Sequence, residues 1–143
     1  MSSAYESADL LLKLYDLRRE PTMRQARQWF ATFLPESADD ISAVLRSEHG
    51  AYFRMVTSFW DMAASFVNNG AIDEKMFNDA NGEHIFIFAG LEPFLADYRA
   101  RTGQAQYLGQ LEQLIMRMPN ARERLAGMRE RIRAIAAARA ARV

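Results

Sequence analysis

Between residues 52 and 68 the chain is polar only along a narrow strip. Arg54, Thr57, Ser58, Asp61, Ser65 and Asn68 recur at helical spacing, and the residues between them are mostly aromatic, Met or small and apolar. A helix with so thin a wet face belongs at the centre of a bundle, covered on most of its circumference. The same periodicity runs through nearly the whole chain. Ser3 followed by Glu6 predicts a capping box, and the helix behind it gathers Tyr5, Ala8, Leu11, Leu12 and Tyr15 on one face. Pro21 suits the first turn of a second helix. That helix is expected to bury Met23, Ala26, Phe30, Phe33 and Leu34, to turn Arg24, Arg27, Gln28 and Ala31 outward, and to end at Pro35.

Ser37-Ala38-Asp39-Asp40 opens a third helix through Ile41, Val44 and Leu45. The pattern leaves open whether it breaks at His49-Gly50 or runs on to Asn69, since an internal Gly costs only about 1 kcal/mol. Asn69-Gly70 is a C-terminal stop, because Gly accepts the left-handed backbone needed there. Asp73 then caps a short helix ending near Asn81-Gly82. Residues 83–101 hold the one ambiguous segment. Ile85-Phe86-Ile87-Phe88 has the composition of a strand, but no second strand exists to pair with it. It reads as helix, kinked or restarted at Pro93 and closed by Thr102-Gly103. Beyond it, Leu108, Leu111, Ile115 and Met118 form one apolar seam, and Leu125, Met128, Ile132 and Ile135 form another. Pro119-Asn120 between them predicts a helical hairpin. The expectation is a single all-α domain over residues 1–143, a bundle of six or seven helices closed by that hairpin.

The chain has 143 residues, half of them hydrophobic, enough for one domain that buries roughly 70% of its unfolded surface. Its longest apolar run, residues 85–91, is far below the ~18 residues of a membrane span. The first residues lack the basic-then-apolar order of a signal peptide. With no cysteine, disulfide and thiolate chemistry are excluded, and a cytoplasmic location is expected. Net charge is zero but divided. Residues 1–98 carry 8 basic and 15 acidic side chains, and residues 99–143 carry 10 and 3. The chain therefore splits into an acidic, aromatic-rich part (1–103) and a basic hairpin (104–143). Such a dipole favours attraction between the two parts or an acidic partner for the second.

Residues able to carry chemistry are few. His49 follows Glu48 and His84 follows Glu83, whereas a helical di-iron site needs Glu and His three residues apart on one face. No metal or other cofactor is expected. Asp79, Asn81 and Gly82 sit in calcium-loop positions, but Phe77 and Phe88 occupy the two slots that most need carboxylates. No nucleophile elbow, phosphate loop or dinucleotide fingerprint occurs. Asp61, between Trp60 and Met62 in the polar strip, is the carboxylate of most interest. With Trp60 and His84 it makes the candidate small-molecule pocket.

Arg122, Arg124, Arg129, Arg131, Arg133, Arg139 and Arg142 invite a nucleic-acid reading. Register disfavours it. With Leu125 and Ile132 at a and Met128 and Ile135 at d, Arg122 and Arg129 fall at e, and Arg124 and Arg131 at g. Arginine on both flanks repels an identical parallel copy, so its complement is an acidic surface. The candidate interface is Leu125, Met128, Arg129, Arg131, Ile132 and Ile135, packed on the acidic part of the same chain or of a second copy.

Three stretches, Phe59-Trp60-Asp61, Asn69-Gly70-x-Ile72-Asp73-Glu74-x-x-Phe77 and Leu91-Glu92-Pro93-Phe94, resemble a small bacterial helical family of unknown function. The likeness runs over about residues 55–99 and rests on packing and capping positions. It implies an all-helical bacterial protein with no assigned activity, and it transfers no functional residue. Some members of that family carry an N-terminal membrane anchor, for which this chain shows no segment. The leading expectation for function is a non-enzymatic interaction or assembly module, a homodimer or the binder of an acidic protein. A ligand-binding protein or enzyme and a nucleic-acid binder are the alternatives.

Overall fold

Side chains from outside each helix set where several of the helices begin. The computed structural model describes residues 1–142 and contains eight α-helices among them. Ser3 accepts from the Glu6 N–H while Glu6 reaches back to the Ser3 N–H, so the capping box forms at the start of α1 (Ala4–Arg18). Glu20 accepts from the Met23 N–H and Pro21 takes the first position of α2 (Pro21–Phe30). Ser37 caps α3 (Ala38–Leu45) and Asp73 caps α5 (Glu74–Ala80). The longest elements are α4 (Gly50–Asn68), α6 (Glu83–Thr102) and α8 (Ala121–Ala141), with α7 (Gly109–Met116) shorter. The all-α class is as expected; the count exceeds six or seven.

The extra helix comes from the break between α3 and α4. A Cβ at Gly50 would press on the Leu45 carbonyl far inside any real contact. Only glycine lets α4 start so close under the end of α3, so the chain turns at residues 46–49. At the other end of α4, Gly70 is left-handed (φ 81°). There the Ala71 N–H reaches the Phe66 carbonyl at 2.8 Å and the Gly70 N–H reaches that of Val67 at 3.0 Å, a complete Schellman stop. α2 ends at Phe30, short of Pro35, and Leu34 beyond it is exposed rather than buried as expected.

α6 runs unbroken through Ile85-Phe86-Ile87-Phe88 and through Pro93. A proline there leaves the carbonyl of Ala89 without its helical donor. Arg129 supplies the replacement from α8, its Nη1 lying 3.3 Å from that oxygen. The helix is tolerated because a second helix satisfies it.

α4 packs against α2 and α7, and α6 packs against α8 and α3. Trp60, Phe53, Phe77, Phe88, Leu111, Leu114 and Leu125 are among the fully buried side chains between these elements. The two C-terminal helices thus bury their seams mainly on different partners, α7 on α4 and α8 on α6, rather than on each other as a hairpin. Two bulky residues flank α7 and α8 in left-handed backbone, Leu108 (φ 55°) and Asn120 (φ 56°). Leu108 is buried, and that burial offsets a strain of about 1–2 kcal/mol.

The apolar stripe of α1 is only partly covered, with Leu11 packed against the core. Ser7 and Leu14 face inward, while Tyr5 (82% exposed), Leu12 (68%) and Tyr15 (56%) face out. The reason is a tertiary hydrogen bond. The Asp73 N–H donates to the Ser7 hydroxyl at 3.0 Å, and the Ser2 N–H donates to the Gly70 carbonyl at 3.1 Å. These contacts join the start of α1 to the segment before α5, while Leu10, Leu11 and Leu14 pack against the core.

Candidate functional site

Glu83 opens α6, where the positive end of the helix dipole favours a carboxylate. Three other helices send it donors. Arg27 of α2 donates through Nε and Nη2 at 2.6 to 3.0 Å, Arg18 of α1 approaches at 3.5 Å, and the Trp60 indole N–H of α4 donates at 3.1 Å. Arg27, expected to face away, is thus turned inward. The Arg18 guanidinium also lies over the Trp60 ring, 5.1 Å from its centre. Burial is the largest single influence on Glu83 and raises its pKa. The hydrogen bonds from Arg27 and Trp60 and the charges of both arginines outweigh it and hold the carboxyl below its ordinary range. A carboxylate so fully engaged is poised to tie α1, α2, α4 and α6 together, not to exchange protons with a substrate.

His84 lies behind it, fully buried against Trp60 (5.4 Å between rings) and edge-on to Phe77 (5.1 Å). Neither ring nitrogen has a protein partner. Burial pushes its pKa down to about 4, against the pull of Glu83, so the ring is neutral at pH 7. Trp60 and His84 are therefore neighbours, but in the core.

Asp61 points elsewhere. Its carboxylate accepts from the Leu111 N–H at 2.9 Å, capping the third residue of α7 from a different helix. It borders a groove of about 550 Å³ together with Arg54, Tyr98 and Tyr107. Burial pushes the Tyr107 phenol up to about 12, so it stays protonated near neutral pH. The structure brings together Trp60 and His84 of the candidate pocket and separates Asp61 from them.

The candidate interface on α8 divides too. Leu125 and Ile132 are buried and Met128 is packed against the core. Arg129 is spent on the Ala89 carbonyl and on Glu92, 3.6 Å away. Arg131 is exposed and Ile135 is 46% exposed. The acidic complement that the arginines were expected to need is thus met in part within the chain, by Glu92.

A further exposed surface is the outer side of α1. Tyr5, Leu12 and Tyr15 are among the most exposed large apolar residues, with Ala8 partly covered between them. Their spacing, at positions 5, 8, 12 and 15, is that of a coiled-coil seam. The stripe was visible in the sequence; its outward orientation depends on Ser7 and Asp73, which periodicity cannot link.

Among the described residues no helix is long and apolar enough to cross a membrane, and no group of three His, Asp or Glu is placed to hold a metal ion. A family model described as a domain of unknown function (DUF4760) matches residues 3–118. No curated protein and no solved structure matches the chain. The match extends well beyond the stretch around residues 55–99 and takes in both α1 and the Glu83 cluster.

Proposed function

We propose, for a chain that belongs to the DUF4760 family of unknown function, a non-enzymatic assembly role as a homodimer built on one all-helical domain. The observation that carries this reading is the outward stripe of α1. Tyr5, Leu12 and Tyr15 stand more than half exposed at seam spacing, on a helix whose other side is anchored by Ser7. Apolar side chains aligned on one helix face are what a partner surface covers. The engaged state of Glu83 and the burial of Trp60 and His84 favour this over a catalytic reading. The contact moves from the one expected on α8, because Leu125 and Ile132 are occupied by α6.

Sedimentation velocity over a wide concentration range tests the proposal. The wild-type chain associates, and Leu12→Glu with Tyr15→Glu is monomeric with an unchanged melting temperature, since both sites are solvent-exposed. A wild-type chain that stays monomeric at every concentration defeats the reading.

A further inference from the structure

Along the exposed face of α1 the side chains run large, small, medium, large: Tyr5, Ala8, Leu12, Tyr15. Tyr5 and Leu12 hold the a positions of a seam, and Ala8 and Tyr15 the d positions. A second copy of the same helix meets this stripe in one of two directions, and the order of sizes tells them apart.

In the same direction, a lies across from a and d from d. Ala8 then faces a second Ala8, leaving a hole between a pair of tyrosines and a pair of leucines. Arg19, at the next a position, faces a second Arg19. In the opposite direction the two-fold axis runs across both helices, so each a residue is level with a d residue. With that axis level with Leu10, Tyr5 meets the second copy's Tyr15 and Ala8 meets the second copy's Leu12, each pair formed twice. Every small residue is then opposed by a larger one, as close packing requires. The next such register pairs Leu12 with Tyr15 and Ala8 with Arg19, and it leaves Tyr5 uncovered.

Charge agrees with the reversed pair. The two Asp9 side chains come nearest the axis, and each is already paired with Lys13 of its own helix at 3.0 Å. No bare carboxylates face each other there. Asp16 is exposed and forms no ion pair among the described residues. Reversal sets it level with the second copy's Ala4, the first residue of α1, where the helix dipole is positive. Arg19 lies over the Tyr15 ring, 5.9 Å from its centre, and so covers the outer end of the layer that Tyr15 makes with Tyr5.

We propose that the α1 helices of two copies pack antiparallel about a two-fold axis level with Leu10, with Tyr5 on Tyr15 and Ala8 on Leu12. This rests on the assembly reading and specifies its contact as α1 against a reversed α1. The stripe is only about 15 Å long, short of what a standard interface of roughly 1,200 Å² needs, so the pair is weak and reversible.

The chain has no cysteine, so single cysteines report the direction of packing. Reversal brings position 5 of one copy level with position 15 of the other. It leaves the two copies of position 5 about 15 Å apart along the axis, beyond the ~7 Å between Cα atoms that a disulfide spans. Tyr5→Cys and Tyr15→Cys, both at exposed positions, are mixed in equal amounts at high concentration and mildly oxidised. By intact mass the mixed disulfide exceeds either homodimer by roughly tenfold or more, because only the mixed pair lies within bonding reach. Ala8→Cys with Leu12→Cys, which keeps both tyrosines, shows the same preference for the mixed product. If each variant alone links as readily as the mixture, the helices run in the same direction and the proposal is wrong. If no variant links although wild type associates in sedimentation velocity, the contact lies elsewhere, and assembly stands without this arrangement. A wild type that never associates defeats both.

Discussion

Two sets of arginines behave in opposite ways in this molecule. Arg18 and Arg27, on the acidic part of the chain, are partly buried and converge on one carboxylate drawn from a third helix. On α8, the most arginine-rich element, Arg124, Arg131 and Arg133 face solvent. The difference shows that the number of charges on a segment says little about where charge acts. What matters is whether desolvation makes each partner necessary to the other. A buried guanidinium without its carboxylate is expensive, whereas an exposed one is served by water.

The sharpest way to break the comparison is to remove the shared carboxylate. Glu83→Gln leaves Arg18 and Arg27 facing each other with no anion between them. A loss of about 2 kcal/mol in urea unfolding is expected, in the range for charged hydrogen bonds lost at a partly buried site. A loss below 1 kcal/mol would place the cluster with ordinary surface pairs. The neighbouring His84 gives a pH signature of the same region. Its folded pKa of about 4 lies below the ordinary imidazole value of 6.5. The unfolded chain therefore takes up a proton that the native state refuses, and stability falls as pH drops from 6.5 toward 4. The full effect is about 3 kcal/mol. Glu83, also lowered, loses its contribution only below the ordinary carboxylate pKa, so the upper part of the window belongs to His84. His84→Phe should flatten the slope between pH 6.5 and 5 and cost nothing at pH 7, since two unpartnered buried nitrogens disappear with it.

What the sequence made legible were the features settled within a few residues. The Ser3–Glu6 box, the Gly70 stop and the Asp73 cap need only their own turn of chain, and all three form as expected. The features that eluded it depend on distant partners. Arg27 read as an outward residue because Glu83 is 56 positions away. The outward turn of Tyr5, Leu12 and Tyr15 was not legible because the Asp73 N–H that meets Ser7 lies beyond any local window. The restart allowed at Pro93 does not occur, because the donor that replaces its N–H comes from α8. Of the candidate pocket residues, Trp60 and His84 lie together in the core, while Asp61 lies apart on a backbone amide of α7 that no local pattern links to it.

Arg129 lies between the two classes, on the basic helix but half-buried and bonded, and it tests the account of Pro93 directly. Arg129→Ala is expected to cost about 1.5 kcal/mol, since it leaves the Ala89 carbonyl with no donor. In Pro93→Ala the helix supplies its own N–H, so the same arginine substitution should cost about 1 kcal/mol less. A coupling energy near zero in this double-mutant cycle would mean that the arginine and the proline are unrelated.

The smallest effect is as informative. Arg131 shares the helix and nearly the sequence position of Arg129, yet it is exposed and forms no ion pair among the described residues. Arg131→Glu should change the stability of the isolated chain by less than about 0.5 kcal/mol. Placed beside Arg129→Ala in one urea series, it asks whether two arginines two residues apart differ as their surroundings require. Equal losses would mean that the charge of α8 as a whole, and not the particular seat of Arg129, holds the helix to α6. Unequal losses would locate that hold at the carbonyl which Pro93 leaves free.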